Sequence, residues 1–127
     1  MGKILLTICA ASLLLTGCGE DDYRHITQDE ALKIIKFDPR AILLDVRTQE
    51  EYCKKHITDA VLLPVEDMRE GVLSKLADKN ATIIVYCLIG KRSKEAASIL
   101  KANGYKNVYE MGAIAPWKGK FMGTDLE

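Results

Sequence analysis

Apolar and polar positions divide the chain into two unlike parts. Behind Lys3, Ile4 to Leu15 (ILLTICAASLLL) is an apolar run of twelve residues, shorter than the roughly 20 needed to span a bilayer, and it has the form of an export signal. From Thr27 onward the pattern becomes periodic. Thr27-Gln28-Asp29-Glu30 has capping-box spacing, and Ala31, Leu32, Ile34 and Ile35 behind it fall on one helical stripe, which predicts a helix to about Phe37. Asp38-Pro39 stops it. Ala41 to Leu44 is a continuous apolar run closing at Asp45, as expected of a strand buried on both faces.

Thr48-Gln49-Glu50-Glu51 repeats the capping-box spacing and predicts a short second helix. Ala60 to Leu63, closed by Pro64, reads as a short strand, Glu66 to Ala77 as a mixed helical stretch interrupted by Gly71, and Thr82 to Tyr86 (TIIVY) as the strongest strand of the chain, ending at Cys87. Ser93 to Ala102 places Ala96, Ala97, Ile99 and Leu100 on one stripe before the stop signal Asn103-Gly104, and Asn107 to Tyr109 is a last short strand. Strands and helices alternate without an internal repeat, so the class is α/β with a mostly parallel central sheet. In such sheets ligands collect outside the carboxyl ends of the strands, where Asp45 and Cys87 both lie.

Composition narrows the possibilities. The 127 residues are 48% hydrophobic, enough for one core and too few for two ordinary domains. Eighteen Lys plus Arg balance eighteen Asp plus Glu, which removes the electrostatic footprint of a nucleic-acid-binding protein. Four Cys and two His, His25 and His56, contain no pair of Cys at zinc-ligand spacing. Neither a metal nor a cofactor is expected.

At the end of the apolar run, Leu15-Thr16-Gly17-Cys18 places two small residues before a cysteine and resembles the lipobox of bacterial lipoproteins. The resemblance implies cleavage before Cys18 and acylation of that residue, with an ordinary secretory cleavage as the alternative. Several acyl chains exceed what stable membrane attachment requires, so the chain is expected to be exported and membrane-anchored, on the periplasmic side or the cell surface. Removing residues 1–17 takes away only Lys3 and leaves seventeen basic against eighteen acidic residues, a net charge of minus one. Residues 18–25 then form the lipidated cysteine and a polar, acidic tether (Gly19-Glu20-Asp21-Asp22), ahead of a domain over 26–119 and a tail over 120–127.

The sharpest feature is Cys87-Leu88-Ile89-Gly90-Lys91-Arg92-Ser93, between a buried strand and an amphipathic helix. A loop this short must curl. If it curls around the sulfur, its backbone N–H groups and the helix N-terminus form an anion-binding nest. Gly90 permits a positive φ, and Lys91 and Arg92 add two positive charges. An ordinary cysteine is only about 3% thiolate at pH 7, and lowering a thiol by about two units, within the range for helix N-termini beside cations, makes it mostly thiolate, a change of roughly 2.7 kcal/mol. Such surroundings would make Cys87 a nucleophile without a histidine base; the plainer reading of a strand-end cysteine is a small core hydrophobe.

This loop, CLIGKRS, resembles the active-site loop of single-domain rhodaneses, and DVRTQEEYCKKHITDAVLLP resembles their other signature through Asp45, Val46, Arg47, Glu51, Tyr52, His56, Ile57, Ala60 and Pro64. Gly112 and Trp117 are similar to the family's closing Gly-Gly and Trp segment. The resemblance covers about residues 26 to 119. It implies a three-layer α/β domain with a five-stranded, mostly parallel sheet flanked by helices. It also implies a sulfurtransferase in which Cys87 takes sulfane sulfur from a donor such as thiosulfate and passes it, as a persulfide, to cyanide or a thiol. The amides of Leu88, Ile89, Gly90, Lys91, Arg92 and Ser93 would cradle the outer sulfur, with Lys91 and Arg92 as electrostatic support. Three positions depart from the family pattern: Lys55 and Asp59 stand where glycines usually do, and Ala113 replaces the second closing glycine. Asp tolerates a left-handed backbone better than Lys, so strain is expected at Lys55.

Asp45 and Arg47 are expected to form a charge pair ordering nearby loops. Glu51, His56 and Trp117 are assigned structural support; a general-base role for His56 is the weaker alternative. With Cys9 in the leader and Cys18 lipidated, Cys53 and Cys87 are the two remaining thiols, and Cys53 could pair with Cys87 or resolve a persulfide on it. Two other functions use the same residues. One is a membrane-tethered persulfide carrier that does not turn over. The other is a cysteine phosphatase or arsenate reductase, which is disfavoured because only four residues separate Cys87 from Arg92, where the tyrosine-phosphatase type has five. The expected partners are a small sulfur donor, a thiol or cyanide acceptor and the membrane, with no nucleic acid, and the expected state is a monomer.

Overall fold

The computed structural model describes residues 23–126. The leader 1–17, the lipidation position Cys18 and the acidic part of the tether lie outside the described residues. The elements follow in the order β1 (Arg24–His25), α1 (Gln28–Phe37), β2 (Ile42–Asp45), α2 (Gln49–Lys54), β3 (His56–Ile57), β4 (Val61–Leu62), α3 (Val65–Arg69), β5 (Thr82–Cys87), α4 (Lys91–Ala102), β6 (Asn107–Ala113) and β7 (Phe121–Met122). Five strands form one sheet in the order β1-β6-β5-β2-β4, all parallel, while β3 and β7 pair antiparallel beside it.

Both expected capping boxes form. Thr27 accepts the Glu30 amide and Thr48 that of Glu51, with each glutamate reaching back to its threonine, and each such cap is worth about 1 kcal/mol. Two-residue alternation then sorts β5 between two cores. Ile83, Val85 and Cys87 face Met68, Ala96, Ala97 and Leu100, whereas Ile84 and Tyr86 belong with Ala31, Ile57 and Trp117. The central strands are buried on both sides, and β5 carries Cys87 into the layer beneath α4.

Several boundaries differ from the sequence expectation. Residues 24 and 25, assigned to the tether, pair with Tyr109 and Glu110 as the edge strand β1, and Phe121–Met122, assigned to the tail, pair with His56–Ile57. The helical stretch after Pro64 keeps only Val65–Arg69 as helix. Helix α4 starts two residues early, at Lys91, because Gly90 caps it in the left-handed conformation at φ +95°. Strand β6 runs four residues past Tyr109, since pairing with β5 resumes after a register shift that moves the partner from Val85↔Glu110 to Tyr86↔Gly112. Asp59 adopts φ +67°, as its tolerance for this region allows. Lys55 does not: its backbone is extended, φ −163° and ψ 126°, so the strain expected there is absent.

Candidate active site

Cys87 ends β5 with its side chain fully buried. The chain leaves the strand through Leu88 and Ile89, both exposed, and turns back at Gly90. That turn aims the Gly90 N–H at the sulfur, with N···Sγ 2.9 Å. Among the described residues it is the one backbone amide of the loop that donates to Sγ. The second contact comes from a side chain: Ser93 Oγ lies 3.3 Å from the sulfur, within reach of the S–H as donor. Behind the loop, the Ile114 amide donates to the Cys87 carbonyl at 2.9 Å, and Gly112, at φ +79°, lets β6 pass close under Gly90.

Lys91 and Arg92 lie in the first turn of α4, which carries no acidic residue. Cations there oppose the helix dipole unless an anion joins them. Arg92 is already answered: its two terminal nitrogens hold the Glu51 carboxylate at 2.6 and 3.0 Å. The Arg92 hydrogen bonds draw the Glu51 carboxyl down to about 2 against the opposing effect of burial, with help from Thr48, and the same pair raises Arg92. Lys91 is exposed and forms no ion pair within 4 Å among the described residues.

Asp45 and Arg47 form a buried ion pair, Nε to Oδ1 at 3.0 Å and Nη2 to Oδ2 at 2.7 Å, and Arg47 also donates to the Lys55 carbonyl at 2.6 Å. The Tyr86 hydroxyl donates to Asp45 Oδ2 at 2.6 Å and accepts the Ile57 amide at 3.2 Å. Burial, and after it the Asp45 charge, raise the Tyr86 hydroxyl far above its ordinary value, so it stays a donor. The network ties the ends of β2 and β5 to β3. His56 is engaged elsewhere: its Nδ1 contacts the Tyr52 carbonyl at 2.7 Å and its ring stacks on Tyr52 with centroids 3.7 Å apart. Trp117 is a core residue beside Ala31 and Ile57. Both Cys53, exposed on α2, and Cys87 are free thiols.

Sequence reasoning missed one residue of this site. Glu110 on β6 is 3% exposed and accepts the Ser93 hydroxyl at 2.5 Å, while its other oxygen lies 2.8 Å from His25 Nδ1. The available signal was parity, because an acidic residue two places after the inward-facing Val108 shares its face.

The site is thus a cysteine at the carboxyl end of the central strand of an all-parallel sheet, held by the amide of an αL glycine that caps the next helix. The family model for the Rhodanese-like domain matches residues 27–120, and the chain belongs to that family. It is 35% identical over 71 residues to the thiosulfate sulfurtransferase PspE of Escherichia coli K12, covering 56% of this chain and 68% of that protein. It is 33% identical to the thiosulfate sulfurtransferase GlpE of Coxiella burnetii over 104 residues, 81% of this chain and 94% of the relative. A solved structure described as a rhodanese with anions from E. coli superposes with a TM-score of 0.60 at 30% identity, covering 66% of this chain and 99% of that one. These relationships support sulfurtransferase activity in general, on the five-stranded parallel sheet described above.

Proposed function

We propose that the protein is a thiosulfate-type sulfurtransferase that works through a persulfide on Cys87. The observation that carries this reading is the buried sulfur accepting the Gly90 N–H at 2.9 Å, at the mouth of a helix whose first turn is cationic. The Cys87 thiolate attacks the sulfane sulfur of the donor, a new S–S bond forms, and the donor's own S–S bond breaks so that sulfite leaves with the electron pair. Cyanide or a thiolate then attacks the outer sulfur, and the Cys87 thiolate returns. Lys91 draws a small dianion to the mouth, and in this reading the amides of the loop hold the terminal sulfur, as donors hold an oxyanion. Arg92 keeps the loop in place through Glu51. That engagement, together with the loop of four residues between Cys87 and Arg92, argues against a phosphatase, whose arginine must turn to the substrate. The lipobox-like segment ending at Cys18 adds that the domain works tethered to a membrane, outside the cytoplasm.

Intact mass after incubation with thiosulfate tests the chemistry. The expected result is a gain of one sulfur, reversed by cyanide and absent in Cys87→Ser; no gain in the wild type overturns it. Steady thiocyanate release identifies an enzyme, whereas a single loading without turnover identifies a carrier. Palmitate labelling that disappears in Cys18→Ala tests the anchor.

A further inference from the structure

Glu110 has no role in the proposed sulfur transfer, yet it is a buried carboxylate against which, among the described residues, neither a lysine nor an arginine lies. Desolvating a carboxylate is costly, and the usual remedy is a counter-charge or a proton. The groups facing it are Ser93 from α4 at Oε1 and His25 from β1 at Oε2, with Cys87 at the end of β5 one step beyond Ser93. Arg24, the other charged residue of β1, lies over the Tyr109 ring instead.

The Ser93 hydroxyl has a single proton and three acceptors around it: Glu110 Oε1 at 2.5 Å, the Gly90 carbonyl at 3.0 Å and the Cys87 sulfur at 3.3 Å. A carboxylate is the strongest acceptor of the three and takes that proton. The oxygen then turns a lone pair toward the sulfur, an attractive contact only while Cys87 carries its own proton. Cys87 S–H, Ser93 O–H and the Glu110 carboxylate are thus aligned as donor, relay and acceptor.

We propose that Glu110 is the proton acceptor for Cys87, reached through the Ser93 hydroxyl. The Sγ–H bond breaks as that proton bonds to Ser93 Oγ, and the Ser93 proton passes to Glu110 Oε1. No proton is gained or lost, and one negative charge moves from carboxylate to sulfur. The transfer also reverses the hydroxyl. Ser93, an acceptor from the thiol, becomes a donor to the thiolate, so the sulfur is held by Ser93 as well as by Gly90. The half-exposed His25 lies 2.8 Å from the far oxygen, Oε2, and fixes the carboxyl group in place. Glu110 touches no reacting atom and is a positioning residue in this scheme.

The inference deepens the proposed function, and its test needs no sulfur donor. The measurement is the rate of Cys87 alkylation by iodoacetamide as a function of pH, in the full chain carrying Cys53→Ser. Where the shared proton rests on Glu110 in the singly protonated pair, the thiolate population stays nearly constant between the two macroscopic ionisations of the pair, and the parent rate has a level stretch there. Glu110→Gln keeps the shape but not the acceptor, and its rate falls about tenfold per unit over the same span, as for a thiol that yields its proton to water. Ser93→Ala breaks the relay without touching Glu110 and gives the same slope, so the test survives if one variant folds poorly. A parent rate that itself falls tenfold per unit, or a level stretch that persists in either folded variant, overturns the proposal. A purely structural Glu110 would change stability without changing the shape of the profile. A level profile in a protein that thiosulfate does not load would reject the proposed donor and keep the relay; the opposite pair of results would do the reverse.

Discussion

Arg92 grips Glu51 with both terminal nitrogens, and so fastens the start of α4 to the start of α2, where Glu51 also completes the Thr48 capping box. The pair makes the domain acid-sensitive in a defined way. Because the Glu51 carboxyl is lowered to about 2 from an ordinary 4.5, its contribution to stability is complete above about 4.5 and is lost as pH falls through about 2. The side chains are about a quarter exposed, so Glu51→Gln is expected to cost about 1 kcal/mol at pH 7. In thermal unfolding the gap between wild type and variant should close progressively as the pH is lowered across that window. A constant gap would show that the charge is irrelevant.

Gly90→Ala places a Cβ on a residue at φ +95°, for which the left-handed conformation alone costs about 1–2 kcal/mol. Space is not the obstacle, since the nearest atom to that Cβ is the Gly112 Cα at 3.7 Å. If the loop relaxes, the amide leaves the sulfur. The expected result is a modest drop in melting temperature and a larger loss in sulfur loading, measured on the same preparation.

Asp45→Ala leaves the Arg47 guanidinium buried without its counter-charge and should cost about 3–5 kcal/mol. Tyr86→Phe removes the hydroxyl joining Asp45 to the Ile57 amide and should cost about 1–2 kcal/mol. Urea midpoints check both, and equal losses for the two variants would contradict this ranking.

Cys53 and Cys87 lie in opposite environments, one exposed on a helix and the other buried at a strand end. Cys53→Ser is therefore expected to retain sulfur loading and turnover within about twofold, as for an exposed substitution away from the site. A variant that loads sulfur but no longer releases it would instead identify Cys53 as the resolving thiol.

The parts of the fold that reading the chain recovered are those where pattern and cap agree. Thr27 and Thr48 announce α1 and α2, and TIIVYC announces β5. The cysteine loop was legible because Gly90 is needed at a positive φ and lies three residues after Cys87. Legibility failed where an element depends on a distant partner. Arg24–His25 and Phe121–Met122 are strands only because β6 and β3 accept them, and two residues carry no period. The end of β6 was hidden by its bulge, and with it Glu110, whose burial follows from pairing with Val85. The loop cations were read as a pair, but only tertiary structure brings Glu51 to Arg92, from 41 residues away, while Lys91 has no carboxylate within ion-pair distance among the described residues.

The rims of the sheet are narrow. Its two outermost strands, β1 and β4, have two residues each, while the longest, β5 and β6, lie inside. A rim that short presents few unpaired main-chain groups in a row, so another molecule finds little template on which to add a strand. Among the described residues, the geometry that encloses the Cys87 sulfur within the middle of the sheet also makes the domain a poor seed for edge-to-edge aggregation, an advantage for molecules crowded side by side.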